Sequence, residues 1–527
     1  MVANKLPLFS LCSCPDIYGR PWALALPTRR EQRAESREPF ILSPSAYLSS
    51  TNEISRQERS FYVVPRPCLF DEPELNRLIV AILNFLRATV PRFLCTVKGE
   101  LRAAVEPDHL KPVQATTRLQ AMAADRVIIC GAGVTGLVLA HALKKAEMAF
   151  DVYERDEHIN ARPHGWGITF HWALSYLRKM LDAPTLAAID DVQVDPEVGR
   201  HDTGNFLFLN LASLDVKFRV PPNERRRVNR QRLREALLRG VADHVHWGKR
   251  LVSIEPLSGG SAVRAVFADG SDACGRLLVG ADGSGSPTRK FLVPHDHSNY
   301  RLPGRMIGVA IDLSPADAQP LRDLDPLLFM GCHPDTGHFL WVSVLDTPET
   351  NGSRGTPSEH YRVQVIISWL AEDATASPIP MTDADRVAEM KRRAEGFHPR
   401  LRTLVDAIPP STAVTEIALQ DWPCHPWDNH DGRVTLMGDA AHAMTMYRGE
   451  AANHGILDVW HLTQAIQAMR QGDKTQAEAI GAYETEMRRR AVPAVLLSRQ
   501  ACLDAHHFNR LDEKSALLKR RALQAAE

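Results

Sequence analysis

The residues of this chain with the clearest chemical meaning are three glycines and an acid. Gly131-Ala132-Gly133-Val134-Thr135-Gly136 has the spacing G-x-G-x-x-G, between the apolar run Val127–Cys130 and a helical pattern over Leu137–Lys145. In such a place Gly131 permits a tight turn and Gly133 lets the backbone approach a pyrophosphate. Gly136 lets the helix pack closely on the strand. The N–H groups that open the helix then point at phosphate. Glu154 ends a second short run, Phe150–Glu154, at the remove from which an acid accepts hydrogen bonds from adenosine ribose hydroxyls. Glycine turns alone are common; the strand, helix and acid together make dinucleotide binding the expectation.

Two later segments add acids of the same kind. Leu278-Val279-Gly280-Ala281-Asp282-Gly283 continues through Ser286 and Arg289, and Val434-Thr435-Leu436-Met437-Gly438-Asp439 continues through Ala440, Ala441 and His442. Each sets an Asp just past an apolar strand, beside small residues that let backbone approach a ligand. Either could be an ordinary strand exit; both following a glycine fingerprint is far less expected by accident. The chain has one G-x-G-x-x-G in strand–helix context. An enzyme holding two dinucleotides on separate folds would show two, so one such fold is expected.

The elements that must position these residues form a β-α-β unit of about 30 residues, the size such a unit needs. Farther on, Arg232–Gly240 carries a helical pattern through Leu233, Ala236 and Leu237. Between 305 and 370 the texture turns to strands, at 306–311, 327–330, 339–345 and 363–369, separated by turn formers such as Pro334-Asp335-Thr336-Gly337 and Asn351-Gly352. The fold class expected is α/β: a Rossmann-like dinucleotide-binding domain at 125–300 and 410–527, ending in long helices, with an inserted, mostly antiparallel sheet domain at 301–409. Residues 1–124 read as a partly disordered extension rich in Pro, Arg, Ser and Glu. A helix is expected there over Glu74–Ala88. Its Leu78–Leu86 stretch lies between Arg77 and Arg87 and is too short to span a bilayer. Packing is the favoured role for it, with a peripheral membrane contact the lesser reading.

Composition narrows the class further. Lys+Arg and Asp+Glu number 63 each in 527 residues, so no net charge draws nucleic acid. Nine cysteines are scattered without a C-x-x-C pair, which argues against a disulfide scaffold or zinc ribbon and fits a reducing, cytoplasmic compartment. The 21 histidines include no H-E-x-x-H, and no metal is expected.

The three motifs in this order, from about Arg126 to about Ala491, resemble the class A flavoprotein monooxygenases, the group of para-hydroxybenzoate hydroxylase and salicylate hydroxylase. The resemblance implies a bound FAD, with NAD(P)H as a transient co-substrate and O2 as oxidant. It also implies oxygen transfer through a flavin C4a-hydroperoxide to a small molecule, by hydroxylation or epoxidation. Carried over residue by residue, Gly131, Gly133, Gly136 and Glu154 hold the ADP half. Gly167 lies along the flavin, Arg230 contacts FAD, and Asp282 belongs to the second motif. Asp439 bonds the ribityl chain, and Ala452 lies where backbone N–H groups face the ring. No catalytic side chain is assigned; Tyr447 and His442 are candidates for the cavity or, equally, for the core. The chain departs from the family pattern at Met446-Tyr447-Arg448-Gly449, where two prolines are usual, and at Ala451, where glycine is usual. The Met-Tyr-Arg-Gly-Glu run is similar to that of fungal members linked to secondary metabolism, whose substrates would be aromatic, polyketide or terpenoid. A halogenase would show W-x-W-x-I-P, and a two-Rossmann Baeyer–Villiger enzyme a second fingerprint; neither is present. An oxidase, a reductase or a non-catalytic flavoprotein stays open.

Overall fold

The computed structural model describes residues 125–161, 166–202, 206–220, 224–257, 262–371 and 378–519. The expected helix at Glu74–Ala88, its apolar stretch and the rest of 1–124 lie outside the described residues. Val127–Cys130, apolar throughout, is the middle strand of a five-stranded sheet in the order 434–436, 277–280, 127–130, 150–153, 245–246. All four pairings are parallel. Strands buried on both faces of a parallel sheet read as continuous apolar runs rather than alternating ones. Val127–Cys130 and Leu277–Gly280 are buried at every position.

The helix Val134–Lys145 returns across this sheet and is itself covered, by Arg230–Arg239 and Ala451–Gln471. That position accounts for its having few polar residues before Lys144 and Lys145. The chain finishes on two long helices, Ala451–Gln471 and Gln476–Asp504. A reciprocal capping box between Thr475 and Glu478 starts the second, satisfying two N–H groups that would otherwise lack partners. Among the described residues no helix is long and apolar enough to cross a membrane.

The second large sheet has seven strands in the order 415–416, 304–313, 361–370, 339–346, 328–332, 206–210, 216–220. Every pairing is antiparallel except that of 328–332 with 206–210. Four of the seven strands lie within 301–409; Phe206–Asn210 and Val216–Val220 precede that span and Thr415–Glu416 follows it. The sheet is therefore assembled from three stretches of chain. Its two faces separate by the period of two that a strand imposes. Leu207 and Leu209 join Ile307, Val365 and the helices carrying Met390 and Leu401. Phe206 and Phe208 face the other way, onto Met306, Phe339, Tyr447 and the tail residues Leu511, Leu517 and Leu518. A two-stranded antiparallel ribbon, Gly167–Phe170 with Arg226–Asn229, ties the two large sheets together. Its Arg227 and Asn229 donate to Ser343 and to the Leu345 carbonyl on the seven-stranded sheet.

Candidate functional site

A cleft of about 260 Å³ opens at the carboxyl ends of the parallel strands, where open α/β sheets bind their ligands. Gly131, Gly133, Glu154, Arg230, Asp282 and Asp439 all line it. Gly136, Gly167 and Ala452 do not appear in its wall.

The three motif glycines differ in what surrounds them. Gly131 has φ +114°, and a Cβ there would strike the Ala281 carbonyl. A Cβ on Gly136 would strike the Gly131 carbonyl, where the helix crosses its own turn. These two glycines serve the fold. A Cβ on Gly133 would meet no described atom within 4 Å; that space belongs to the cleft. Gly133 also caps the helix Val134–Lys145 without any side-chain acceptor for the first N–H groups. An open approach beside uncapped amides suits a pyrophosphate. Glu154 is 6% exposed and accepts from the N–H groups of Ala132 at 2.7 Å and Asp156 at 3.0 Å. It braces the glycine turn as well as facing the cleft. Arg234, one helical turn after Arg230, holds the other side of the turn, donating to the Ala132 carbonyl at 3.2 Å and the Ile159 carbonyl at 3.3 Å.

The two later acids lie across the cleft. Asp282 accepts through Oδ2 from the Thr288 amide at 3.1 Å and hydroxyl at 2.7 Å. Its Oδ1 is buried without a hydrogen-bond partner, and burial pushes the carboxyl above its ordinary value. Asp439 follows Gly438, whose φ of +59° turns the chain out of the strand Val434–Leu436. Its side chain is exposed to the cleft, near the charges of His442, Arg230 and Arg289. An acceptor with no donor of its own fits a polyol chain, whose hydroxyls can donate to it. Arg289 is 2% exposed. It lies over Trp422 at 4.6 Å, with Nε and Nη1 unpartnered, and burial pulls it down to about 10. Of its side-chain nitrogens only Nη2 is bonded among the described residues, to the Ser284 carbonyl and to Asn299 Oδ1, and the sequence of the second motif does not show this.

Arg230 opens the helix Arg230–Arg239, whose cap Asn229 accepts from the amides of Gln231 at 3.0 Å and Arg232 at 3.2 Å. Ala452 lies in the first turn of Ala451–Gln471, and the cap residue Glu450 gives that turn no side-chain acceptor. Its carboxylate is taken instead by Arg448, at 2.8 Å. Gly167 pairs with Asn229, and its side-chain space is filled by the Arg227 guanidinium, 2.5 Å from an added Cβ at Cζ. A side chain at 167 would displace that guanidinium.

His442 and Tyr447 are core residues. His442 is fully buried, its Nε2 2.6 Å from Asp458 Oδ2. The same carboxylate takes the Gly438 N–H at 2.8 Å and Arg490 Nη2 at 2.6 Å. Burial alone would raise Asp458, but His442 and Arg490 hold it well below the usual carboxylate range. The network fixes the turn that presents Asp439. Tyr447, 1% exposed, bonds Ser368 at 2.9 Å, and Ser368 in turn lies 2.9 Å from His506 Nε2.

Comparison with known proteins gives this geometry its place. The "FAD binding domain" family matches residues 229–498, and the "NAD(P)-binding Rossmann-like domain" family matches 129–189. A protein of Arthroderma benhamiae named "Probable FAD-dependent monooxygenase" is 42% identical over 413 residues, 75% of this chain and 95% of that one. The FAD-dependent monooxygenase dbaB of Emericella nidulans is 43% identical over 346 residues, 65% of this chain and 86% of its own length. Among solved structures, an FAD-containing monooxygenase from Photorhabdus luminescens superposes with a TM-score of 0.60 at 25% identity, over 73% of this chain and 98% of that one. Klebsiella pneumoniae HpxO, complexed with FAD and uric acid, shares the fold with a TM-score of 0.57 at 21% identity, over 72% and 89% of the two chains. The motif-lined cleft and these matches agree: the chain belongs to the class A FAD-dependent monooxygenase family.

Proposed function

We propose that the chain hydroxylates or epoxidises a small organic metabolite of secondary metabolism, aromatic, polyketide or terpenoid, at the expense of NAD(P)H and O2. One observation carries this reading: Gly133, Glu154, Arg230, Asp282 and Asp439 converge on a single cleft built on a single glycine fingerprint. FAD bound there supplies the acceptance of hydride from a nicotinamide and the activation of O2. The amides after Gly133 would take the pyrophosphate, and Glu154 the ribose hydroxyls. Asp439 and the free Oδ1 of Asp282 would take ribityl hydroxyls, while the first turn of Ala451–Gln471 would offer N–H groups to the ring edge. None of these groups needs to pass a proton; their work is to orient the cofactor and keep the site dry. The five described cysteines are free, which supports a reducing compartment such as the cytoplasm.

The test is oxidation of NAD(P)H by the flavin-loaded full-length chain, across a panel of candidate metabolites under 18O2. Slow basal oxidation, acceleration by particular metabolites and one 18O atom in the product are the outcomes expected. Fast oxidation regardless of ligand, with all the oxygen recovered as H2O2, would favour the oxidase or reductase reading instead.

A further inference from the structure

Met446-Tyr447-Arg448-Gly449-Glu450, the run at which the chain departs from the family pattern, takes no part in the wall of the flavin cleft. Its arginine holds the end of the chain instead. Arg448 is 2% exposed and donates through Nε to Glu450 at 2.8 Å. Through Nη1 it donates to the Ala516 carbonyl and, at 3.3 Å, to that of Lys519. A buried ion pair is weak evidence for stability, since apolar residues of the same volume often serve as well. What this one supplies is direction: a rigid fork with a carboxylate on one side and tail carbonyls on the other.

The segment so held, 507–519, follows the last long helix. Among the described residues it joins no sheet; it consists of the 3-10 turn Phe508–Arg510 and a series of bends. Beyond its own turns, three further side chains attach it. Asp504 accepts from the Ala516 amide at 2.8 Å, Lys217 donates to the Phe508 carbonyl, and Asn509 donates to the Pro334 carbonyl at 3.3 Å. Of these attachments only the bond from Arg448 to Ala516 is fully buried.

The apolar side chains of the segment point inward. Leu511, Leu517 and Leu518 join Phe206, Phe208 and Met306 on one face of the seven-stranded sheet. Tyr447 belongs to the same cluster, and the helix Ala451–Gln471 begins four residues after it. The covered face therefore looks toward the flavin domain, while the helices Asp383–Arg393 and Pro399–Asp406 fill the opposite one. A site for oxygen transfer must be dry during reaction and yet exchange solutes between turnovers. A segment without ladder hydrogen bonds, closed by leucines and one buried clasp, can lift away while both sheets stay intact.

We propose that residues 507–519 form a strap, latched by Arg448, that closes the apolar sheet face and opens to admit an apolar molecule. That the admitted molecule is the substrate rests on the monooxygenase reading above. Arg448 is a positioning residue in this arrangement, acting through the strap.

Hydrogen exchange, read by mass spectrometry on the full-length chain, tests the strap, with N-phenyl-1-naphthylamine as an uncharged apolar probe. The amides of Ala516 and Leu518 are bonded and their residues buried. In the wild type they should still exchange at least a hundredfold faster than those of the strand Gly304–Leu313. Saturating probe should speed them further, because it binds only the open form. Arg448→Met combined with Glu450→Gln removes the pair together, leaving no lone buried charge. It should raise strap exchange at least tenfold and leave the strand unchanged. Leu517→Ala with Leu518→Ala should do the same through the apolar grip, with the pair intact. Strap amides as slow as the strand make the segment fixed core and overturn the proposal. Exchange that ignores the probe overturns it too. A rise shared equally by strap and strand in both variants makes these residues merely structural, with the same consequence. None of these readouts needs turnover, so a closed strap leaves the monooxygenase reading standing. A strap that opens in a chain unable to transfer oxygen strikes that reading and not this one.

Discussion

Glu154 faces two ways: one set of lone pairs braces the glycine turn through Ala132 and Asp156, and the other faces the cleft. Its replacement by Ala therefore removes a charge-assisted bond to ribose and loosens the turn that holds the pyrophosphate. Hydrogen bonds to a charged group contribute about 1.5–3 kcal/mol, so FAD affinity should fall roughly tenfold to a hundredfold. Flavin titration followed by fluorescence checks this, and unchanged affinity would refute the role. At this scale the sequence shows residues whose spacing is fixed by a ligand or by a backbone turn, such as Gly131, Glu154 and Asp439. It does not show Arg289 or Arg448. The first is set apart by the partners its Nε and Nη1 lack among the described residues, the second by the carbonyls of the distant tail that it holds.

Among the elements, those with strong local signals are legible and those made by distant pairing are not. The strand–glycine–helix unit follows from contiguous residues. Phe206–Asn210, by contrast, is apolar at four successive positions, which suits a strand buried on both faces or a buried helix equally well. Only its pairing with Phe329–Cys332 and Val216–Val220 decides that it belongs to the seven-stranded sheet. The end of the last long helix makes a pH-dependent contribution of its own. His506 is buried beside Ser368, and burial lowers its imidazole from 6.5 to about 4. In that window the unfolded chain binds a proton that the folded chain refuses, so stability rises with pH. His506 thus contributes fully above pH 6.5, and its contribution is lost as pH falls toward 4. In His506→Gln the slope of stability against pH across this window should be shallower by about one proton per chain. Thermal melts at a series of pH values measure it; an unchanged slope would show that His506 titrates normally in the fold.

For the whole molecule, the fold class and the flavin domain are evident from three motifs in order, while substrate identity is not, since the sheet face that would meet the substrate is apolar and generic in sequence. The Arthroderma benhamiae relative is matched over 95% of its length by 75% of this chain. Both family models match within residues 129–498, outside residues 1–124. A chain beginning near Ala121 should fold, bind one FAD and melt within a few degrees of the full-length protein. Aggregation of the shortened chain beside a well-behaved full-length control would show that the extension packs on the core.

The account stands most directly on Gly133, the motif glycine that the fold itself does not require. A Cβ there meets no described atom within 4 Å, so the polypeptide should fold as before, while the rest of the valine side chain enters the path of the pyrophosphate. The decisive measurement is the flavin stoichiometry of purified Gly133→Val beside the wild type, with apo-protein melting curves as the control for folding. One FAD per wild-type chain, a colourless variant and matching apo melting curves are the predicted result. A correctly folded Gly133→Val chain that keeps a full complement of FAD would contradict it.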